Sequence, residues 1–261
     1  MTQANSLTFH TKIDGPDDAP WIVLSNSLGS NLSMWDGQIP LLTRKYRVLR
    51  YDHRGHGQTE VPPGPYTWDQ LTSDVIALMD AHGIEQADWL GLSMGGMTGT
   101  GLAVHHGHRF GRMVLADFRA DAPPEYQSMW DQRIATITEQ GLSAIADGIL
   151  DMWLNPAWRA ANPSRLAALR ETLTGTNPDG YIGCCLAIRT LDYLKDAHTI
   201  TNPVLCLTGA DDPTAAPATV RAIADTIPGA QYAELPGARH ISNIDSEDAF
   251  NATIAAFLNI P

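Results

Sequence analysis

The sequence predicts an α/β protein with a doubly wound, mostly parallel sheet and an inserted helical cap, and three observations support this. Short apolar runs alternate with amphipathic stretches along most of the 261 residues. Several runs are continuously apolar, as expected of strands covered on both faces. The alternation stops between residues 121 and 198, where only helical patterns occur. We therefore expect a core of residues 1–120 and 199–261 and a helical cap of residues 121–198.

Seven segments have the composition of strands, and five others have the pattern of core helices. The predicted strands are residues 7–13, 21–26, 46–52, 88–92, 111–117, 203–208 and 230–235. The predicted core helices are residues 34–44, 67–82, 94–107, 217–227 and 246–259. Thr67 and Ser246 stand where N-caps are expected, and Gly83 follows a predicted helix end. Open sheets of this kind bind ligands at the carboxyl ends of their strands, so the cap is expected to close over a site there.

The net charge and the cysteine content limit which binding partners and which cellular compartment are expected for this protein. The chain carries 17 Lys and Arg against 29 Asp and Glu, a net charge of −12, which argues against nucleic acids and anionic membrane surfaces as partners. The segment MTQANSLTFH has neither the basic nor the apolar run of a signal peptide, and no membrane anchor is expected. Cys184, Cys185 and Cys206 lack the spacing of a zinc site, so we expect reduced, buried thiols and a cytoplasmic protein. The sequence does not indicate an oligomeric state.

The most specific motif is Gly91-Leu92-Ser93-Met94-Gly95, a G-x-S-x-G between a predicted strand and a predicted helix. Its two glycines allow a tight strand-to-helix turn that exposes the serine hydroxyl. The N-terminus of the following helix offers backbone N–H groups to a developing oxyanion. We therefore predict that Ser93 is a catalytic nucleophile.

A serine hydroxyl needs a base, and the base needs an acid that holds it. In chains with this motif, the acid and then the base follow the serine in sequence. The strand 203–208 is followed by the adjacent carboxylates Asp211 and Asp212, and the strand 230–235 is followed by His240. Both carboxylates lie at the strand end where the acid is needed, whereas His240 alone among nine histidines has the position of the base.

The other histidines have simpler interpretations. His53 and His56 lie in the glycine-rich run DHRGHG, which lacks a further carboxylate at ligand spacing and is interpreted as a turn. His105, His106 and His108 come near the end of the helix after the serine, where they face solvent or the helix dipole. We therefore predict no metal site.

Together these pieces resemble an α/β-hydrolase with an inserted cap, from about residue 20 to the C-terminus. The matching motifs are Asn26-Ser27-Leu28-Gly29 with Trp35, Asp52-His53-Arg54-Gly55-His56-Gly57, GLSMGG, Gly209 with Asp212 and Pro217, and Arg239-His240-Ile241. The family usually carries its acid three residues after the glycine, which implies Asp212 rather than Asp211. It usually has His-Gly where this chain has Asn26-Ser27. By position, the resemblance implies that the backbone N–H groups of Leu28 and Met94 form the oxyanion hole.

Three longer segments are similar to 3-oxoadipate enol-lactonases: SNSLGSNLSMWD (25–36), WDQRIATITEQG (130–141) and GCCLAIRTLDY (183–193). This resemblance implies a small anionic substrate, a five-membered enol-lactone with a carboxymethyl group. It implies opening of that lactone to 3-oxoadipate in the β-ketoadipate pathway of aromatic catabolism, without a metal or an organic cofactor. The segment Asp151-Met152-Trp153-Leu154 departs from the more basic and aromatic stretch that the resemblance leads us to expect.

An anionic substrate needs a cation in a chain of this net charge. Arg133 is the first candidate, because it lies in the segment 130–141 that is similar to the enol-lactonases. Trp130 is expected to pack beside the lactone ring, and Arg189 is the second candidate cation.

Other functions are compatible with the same three residues. A general carboxylesterase, a cofactor-free perhydrolase or a C–C bond hydrolase would also use Ser93, Asp212 and His240. Epoxide hydrolases and haloalkane dehalogenases are disfavoured, because they resemble this fold but have Asp at the position of Ser93. A ligand receptor that acts by moving its cap is the non-enzymatic alternative.

Overall fold

The computed structural model describes residues 1–261 and contains nine strands. They are β1 (Thr2–Ala4), β2 (Leu7–Phe9), β3 (Thr11–Asp14), β4 (Trp21–Ser25), β5 (Arg47–Tyr51), β6 (Ala87–Leu92), β7 (Phe110–Ala116), β8 (Val204–Gly209) and β9 (Gln231–Leu235). Seven of them form one sheet in the order β3-β5-β4-β6-β7-β8-β9, and β1 pairs with β2. Only β3 runs antiparallel to its neighbour in the large sheet. The predicted α/β fold with a mostly parallel sheet is confirmed.

Eleven helices connect and cover the strands. They are α1 (Ile39–Leu42), α2 (Trp68–Ala81), α3 (Met94–His106), α4 (Pro124–Gln140), α5 (Ser143–Trp153), α6 (Pro156–Ala161), α7 (Pro163–Gly175), α8 (Pro178–Ile188), α9 (Pro217–Thr226), α10 (Ser242–Asp245) and α11 (Glu247–Leu258). Shorter 3₁₀ turns cover Leu32–Trp35, Gly107–Arg109 and Leu194–Thr199. No helix is both long enough and apolar enough to cross a membrane.

The central strands are apolar on both faces because helices cover both faces. In β6, Leu90 and Leu92 point into one core, which also contains side chains of the helices between β7 and β8. Trp89 points into the other core, with residues of α2 and α9. Cys184, Cys185 and Cys206 are buried free thiols, as expected.

The chain between β7 and β8 contains five helices, α4 to α8, and no strand. The two ends of this segment meet, because Asp121 and Asp192 form an isolated bridge and the Ala122 N–H donates to the carbonyl oxygen of Leu191 over 2.9 Å. Side chains of the segment, including Trp130 and Trp153, belong to the same hydrophobic core as Leu90 and Leu92 of β6. The division into a core and a cap at residues 121–198 stays a prediction.

Three predicted segments differ in detail from the structure. The strand 7–13 is divided at His10 into β2 and β3, which belong to different sheets. The helix 34–44 is replaced by the 3₁₀ turn, which Asn31 caps at its start, and by the single turn of α1. The helix 246–259 begins earlier as α10 and continues as α11.

The strand order reverses between β4 and β6. From β4 the chain goes outward to β5 and then returns to the other side of β4 to form β6. Ser25, the last residue of β4, pairs in register with Gly91 near the end of β6. Loops that leave these two strand ends diverge, and this is where a doubly wound sheet has its ligand crevice.

Candidate active site

Ser93 stands at the sharp turn between β6 and α3. Its φ is 56°, a strained left-handed conformation for a serine. Its N–H donates to the carbonyl oxygen of Ala116 over 2.8 Å. A Cβ on Gly91 would lie 2.2 Å from the carbonyl oxygen of Gly95, and a Cβ on Gly95 would lie 2.1 Å from that of Ser25. The close packing of this turn therefore requires glycine at both positions of the motif.

His240 lies between Ser93 and Asp212. Its Nε2 is 2.9 Å from Ser93 Oγ, and its Nδ1 is 2.8 Å from Asp212 Oδ2. Because a carboxylate can only accept, Nδ1–H donates to Asp212 and Nε2 accepts from the serine hydroxyl. All three residues are buried. In this arrangement an imidazole can remove the proton of a serine while a carboxylate holds its tautomer.

The two neighbouring carboxylates have different surroundings. Asp212 is buried, and its second oxygen, Oδ1, accepts from the N–H groups of Thr214 and Ala215 over 2.7 and 3.1 Å. Asp211 is exposed, and only its backbone N–H is bonded, to the carbonyl oxygen of Ala238. The structure therefore brings Asp212 and not Asp211 to the histidine.

A further carboxylate, Asp117, connects the loops that carry Asp212 and His240. Its Oδ1 accepts from the Gly209 N–H over 2.8 Å, and its Oδ2 accepts from the hydroxyl of Ser242. Burial, together with the negative charge of Asp212, raises the pKa of Asp117. The sequence reasoning missed this residue, although it follows an apolar strand on the same sheet edge as Asp212.

The loop after β4 is held by buried side chains. The Asn26 side-chain N–H donates to the Tyr51 carbonyl oxygen, and its Oδ1 accepts from Trp35 Nε1 over 2.9 Å, which explains why the asparagine and the tryptophan occur together. The N–H of Leu28, in the same loop, has no acceptor in the chain. The N–H of Met94 is the first of α3, and a first helical N–H has no acceptor inside its own helix. Both N–H groups are available to an oxyanion.

A small closed cavity lies over the serine. Ser93, His240 and Leu28 are on its sheet side, and side chains of α4, α5 and α8 close it from the opposite side. Its free volume is about 30 Å³, room for only one or two water molecules. Wider grooves on the surface, including one between β9 and α11, contain none of the three residues.

One face of α4 forms much of the opposite wall. Tyr126, Trp130 and Arg133 are spaced i, i+4 and i+7, so their side chains point to one side of the helix, and all three line the cavity. The Arg133 guanidinium lies 4.5 Å from the centre of the Trp130 ring, and it is the only cationic side chain of Lys or Arg type on the cavity wall. Nine other arginines form ion pairs with carboxylates, but Arg133 forms none.

Arg189, the second predicted cation, has a different environment. Its Nε lies 2.7 Å from Asp131 Oδ1 in a partly exposed ion pair, and Arg189 is not among the residues that line the cavity. The structure does not bring Arg189 to the site.

The segment Asp151–Leu154, which departs from the enol-lactonase pattern, contacts the loop that carries the histidine. Met152 and Trp153 line the cavity. The Trp153 carbonyl oxygen accepts from the Ile241 N–H over 3.0 Å, and the Asp151 carbonyl oxygen accepts from the side chain of Arg239. The end of α5 therefore contacts the loop that carries His240.

Comparison with known proteins agrees with this architecture. A family model described as the alpha/beta hydrolase fold matches residues 20–247. The chain belongs to the α/β-hydrolase family. It is 39% identical to 3-oxoadipate enol-lactonase 2 of Acinetobacter baylyi over 244 residues, 94% of this chain and 90% of that protein. The crystal structure of the enol-lactonase from Burkholderia xenovorans LB400 superposes with a TM-score of 0.95 at 43% identity and covers 98% of both chains.

A second group of relatives has a different name. A candidate carbamate hydrolase, RutD, of Caulobacter sp. strain K31 is 31% identical over 96% of this chain and 95% of that protein. The chain is thus a hydrolase that is similar to the 3-oxoadipate enol-lactonases, and the resemblance expected from the sequence is confirmed.

The geometry of this hydrolase gathers most of the residues expected from its sequence. Ser93, His240 and Asp212 are joined by hydrogen bonds, and Trp130 and Arg133 face them across the cavity. Tyr126 was missed. The signal that could have found it is its spacing, one helical turn before Trp130 on the same face.

Proposed function

We propose that this hydrolase opens 3-oxoadipate enol-lactone to 3-oxoadipate through an acyl-enzyme on Ser93. The observation that carries the proposal is one buried cavity in which a hydrogen-bonded Ser93–His240–Asp212 set faces an arginine without a carboxylate partner. The similarity to two enol-lactonases supports this choice of substrate, and the reaction places the protein in the β-ketoadipate pathway.

In the first half of the reaction, Ser93 Oγ attacks the lactone carbonyl while His240 Nε2 takes its proton. Asp212 holds the imidazole tautomer and stabilises the imidazolium that forms. The N–H groups of Leu28 and Met94 bind the oxyanion, and loss of one such donor typically costs about 3–4 kcal/mol. The C–O bond then breaks, its electron pair goes to the ring oxygen, and His240 returns the proton to that oxygen.

In the second half, His240 activates a water molecule that hydrolyses the acyl-enzyme and frees Ser93. The enol released from the ring becomes a ketone, which makes opening of the lactone favourable. The chain supplies every proton transfer from its own residues, and the proposal includes no cofactor.

Arg133 binds the carboxylate of the substrate in this proposal. Arg133 is half-buried, and a partly desolvated cation without a carboxylate partner gains most when an anion reaches it. The stacking of the guanidinium on Trp130 holds it in place. In this proposal residues 121–198 form a cap that moves. The cavity of about 30 Å³ admits the lactone only if the wall formed by α4, α5 and α8 opens.

The test is to follow the loss of enol-lactone absorbance with purified protein, beside a panel of simple aryl esters and carbamates. We expect kcat/KM for the lactone to exceed that for every other substrate by at least tenfold. Ser93→Ala should abolish multiple turnover of all of them. A preference for simple esters or for carbamates would overturn the choice of substrate, and binding without turnover would indicate a receptor.

A further inference from the structure

Two buried polar atoms on the cavity wall, Tyr126 Oη and Trp130 Nε1, have no partner of good hydrogen-bond geometry, and their residues are only 8% and 4% exposed. The Trp130 N–H lies near enough to the Tyr126 oxygen to lower the pKa of the phenol, but the Oη–H of Tyr126 has no acceptor in the chain. No other residue that lines the cavity has such an atom. Buried donors are almost always satisfied, because an unpaired one is costly. A polar group of a bound ligand is a partner that would satisfy them.

The Tyr126 ring is held firmly from two sides. It meets the Trp130 ring edge to face, with ring centres 5.7 Å apart, and the Arg119 guanidinium lies 4.8 Å from its centre. Burial raises the pKa of its phenol to about 12, so the hydroxyl keeps its proton at every pH at which the triad works. Tyr126 is therefore a fixed, neutral hydrogen-bond donor.

The position of Tyr126 along α4 indicates which substrate atom it meets. Tyr126 precedes Arg133 by seven residues, about 10 Å along a helix. Tyr126 lines the same small cavity as Ser93 and His240, and the charges of both Arg133 and Asp212 act on its phenol, so we place its hydroxyl between the triad and Arg133. Arg133 would hold the carboxylate at the other end.

The chemistry of an enol-lactone places one oxygen between these two points. The ring oxygen joins the carbonyl carbon that Ser93 attacks to the carbon that carries the carboxymethyl group. When the C–O bond breaks, this oxygen receives the electron pair and becomes an enolate. A donor on the cavity wall between the triad and Arg133 has this oxygen within its reach.

We propose that Tyr126 is a substrate-binding residue whose Oη–H donates a hydrogen bond to the leaving oxygen and stabilises the negative charge that develops there. This inference rests on the proposed acyl-enzyme mechanism. Tyr126 keeps its own proton throughout, and His240 supplies the proton that the leaving oxygen takes. The hydrogen bond is thus stronger in the transition state than in the bound lactone, and it acts on kcat.

The test uses Tyr126→Phe, which removes one oxygen and keeps the ring. We expect kcat/KM for the enol-lactone to fall by roughly 10- to 100-fold, as for a lost hydrogen bond to a charged group. On a series of aryl acetates with phenols of graded pKa, the loss should grow as the phenol becomes more basic. With the aryl acetates, hydrolysis of the acetyl-enzyme, followed after a burst, should be unchanged, because the phenol has left the enzyme by then.

Tyr193→Phe is the matched control. Tyr193 is also 8% exposed and its hydroxyl is also unpaired, but it packs against Trp68 and His105, away from the cavity. This variant should leave both the lactone rate and the dependence on the phenol unchanged. Thermal unfolding of both variants shows whether either change merely alters stability.

The outcomes separate the two proposals. An equal loss for every phenol, or a loss confined to KM, would show that Tyr126 only shapes the wall. If the enol-lactone is not hydrolysed but aryl acetates are, the choice of substrate fails and the phenol series still decides the role of Tyr126. If neither is hydrolysed, both proposals are wrong.

Discussion

The two walls of the cavity differ in how their polar groups are satisfied. On the sheet wall, Ser93, His240 and Asp212 are bonded to one another or to backbone N–H groups. On the opposite wall, formed by α4, α5 and α8 and named the cap wall after the predicted cap, the Oη–H of Tyr126 has no acceptor in the chain. Partners of the first wall are built into the fold, whereas partners of the second have to come from a ligand. We infer that the sheet wall supplies the reaction and the cap wall supplies the choice of substrate.

The two regions also contain glycines that differ in how closely other atoms pack around them. At the sheet wall, glycines are packed so closely that a Cβ on Gly95 would overlap the Ser25 carbonyl oxygen. In the cap segment, a Cβ on Gly148 of α5 would meet nothing within 4 Å. The turn beside Ser93 therefore has no room for a side chain at Gly95, whereas the solvent-exposed face of α5 has room for one at Gly148.

The largest effect is expected at the buried carboxylate of the sheet wall. Asp212→Asn should lower kcat by about 10⁴-fold, because an amide can turn its N–H toward His240 and favour the wrong tautomer. Asp211→Asn, one residue away and exposed, should stay within about twofold. Steady-state kinetics on the enol-lactone compares the two. A large loss in Asp211→Asn with a small one in Asp212→Asn would mean that the geometry points to the wrong neighbour.

The next effect concerns two buried histidines behind the sheet wall. Burial lowers the pKa of His53 to about 3 and that of His56 to about 4. Both titrate near 6.5 in the unfolded chain. At pH values between the folded and the unfolded pKa, the unfolded state binds more protons than the folded state. The free energy of unfolding therefore falls as the pH falls through this range. Each histidine should lower the free energy of unfolding by about 2 kcal/mol between pH 7 and pH 5.

Urea unfolding at pH 7 and pH 5 measures this loss. His53 Nε2 lies 3.1 Å from Ser25 Oγ and from the Asn26 carbonyl oxygen, so protonation also disturbs the loop that carries Leu28. His53→Gln should be less stable at pH 7 but should lose less stability between pH 7 and pH 5. His105→Gln, at an exposed position, should keep the full pH dependence, and an unchanged slope in His53→Gln would contradict the prediction.

A third prediction compares the glycines directly. Gly95→Ala should lower the free energy of unfolding by about 1–3 kcal/mol, because the methyl group is forced into the Ser25 carbonyl. Gly148→Ala should raise it by about 0.5–1 kcal/mol, because alanine is the better helix former at an open position. Urea unfolding at pH 7 gives both values. If the two substitutions had equal effects, the proposed contrast between a crowded turn at Gly95 and an open position at Gly148 would be lost.

Local patterns predicted the sheet wall well, and the reason is physical. Strand runs, the glycines beside Ser93 and the residues that follow strands are all specified within short segments. The hairpin strand β1 was missed because three residues carry too little pattern. Asp117 was missed because its function depends on Gly209 and Ser242, which lie more than 90 residues away in sequence.

The cap wall was harder to predict, because side-chain roles on helices depend on which face meets the site. Arg133 and Arg189 have the same chemistry and lie in the same segment, and the sequence alone ranked them only by resemblance. In the structure, Arg133 lines the cavity, whereas Arg189 is paired with Asp131. The difference arises from helix rotation, which a single sequence specifies weakly.

The last comparison concerns these two arginines. Arg133→Ala should raise KM for the anionic lactone by roughly 10- to 100-fold, because the carboxylate loses a charge-assisted partner worth about 1.5–3 kcal/mol. KM for a neutral aryl acetate should hardly change. An equal rise for both substrates would show that Arg133 acts only by packing on Trp130.

Arg189→Ala is the matched control, because it removes the same guanidinium from the same segment. Its partner Asp131 is about half exposed, and exposed ion pairs contribute about 0–1 kcal/mol to stability. We therefore expect kcat and KM for the lactone to stay within about twofold. A rise in KM that matched the one in Arg133→Ala would mean that α8 turns toward the cavity when substrate binds. The carboxylate would then be shared by two cations, and the ion pair with Asp131 would have to open before binding.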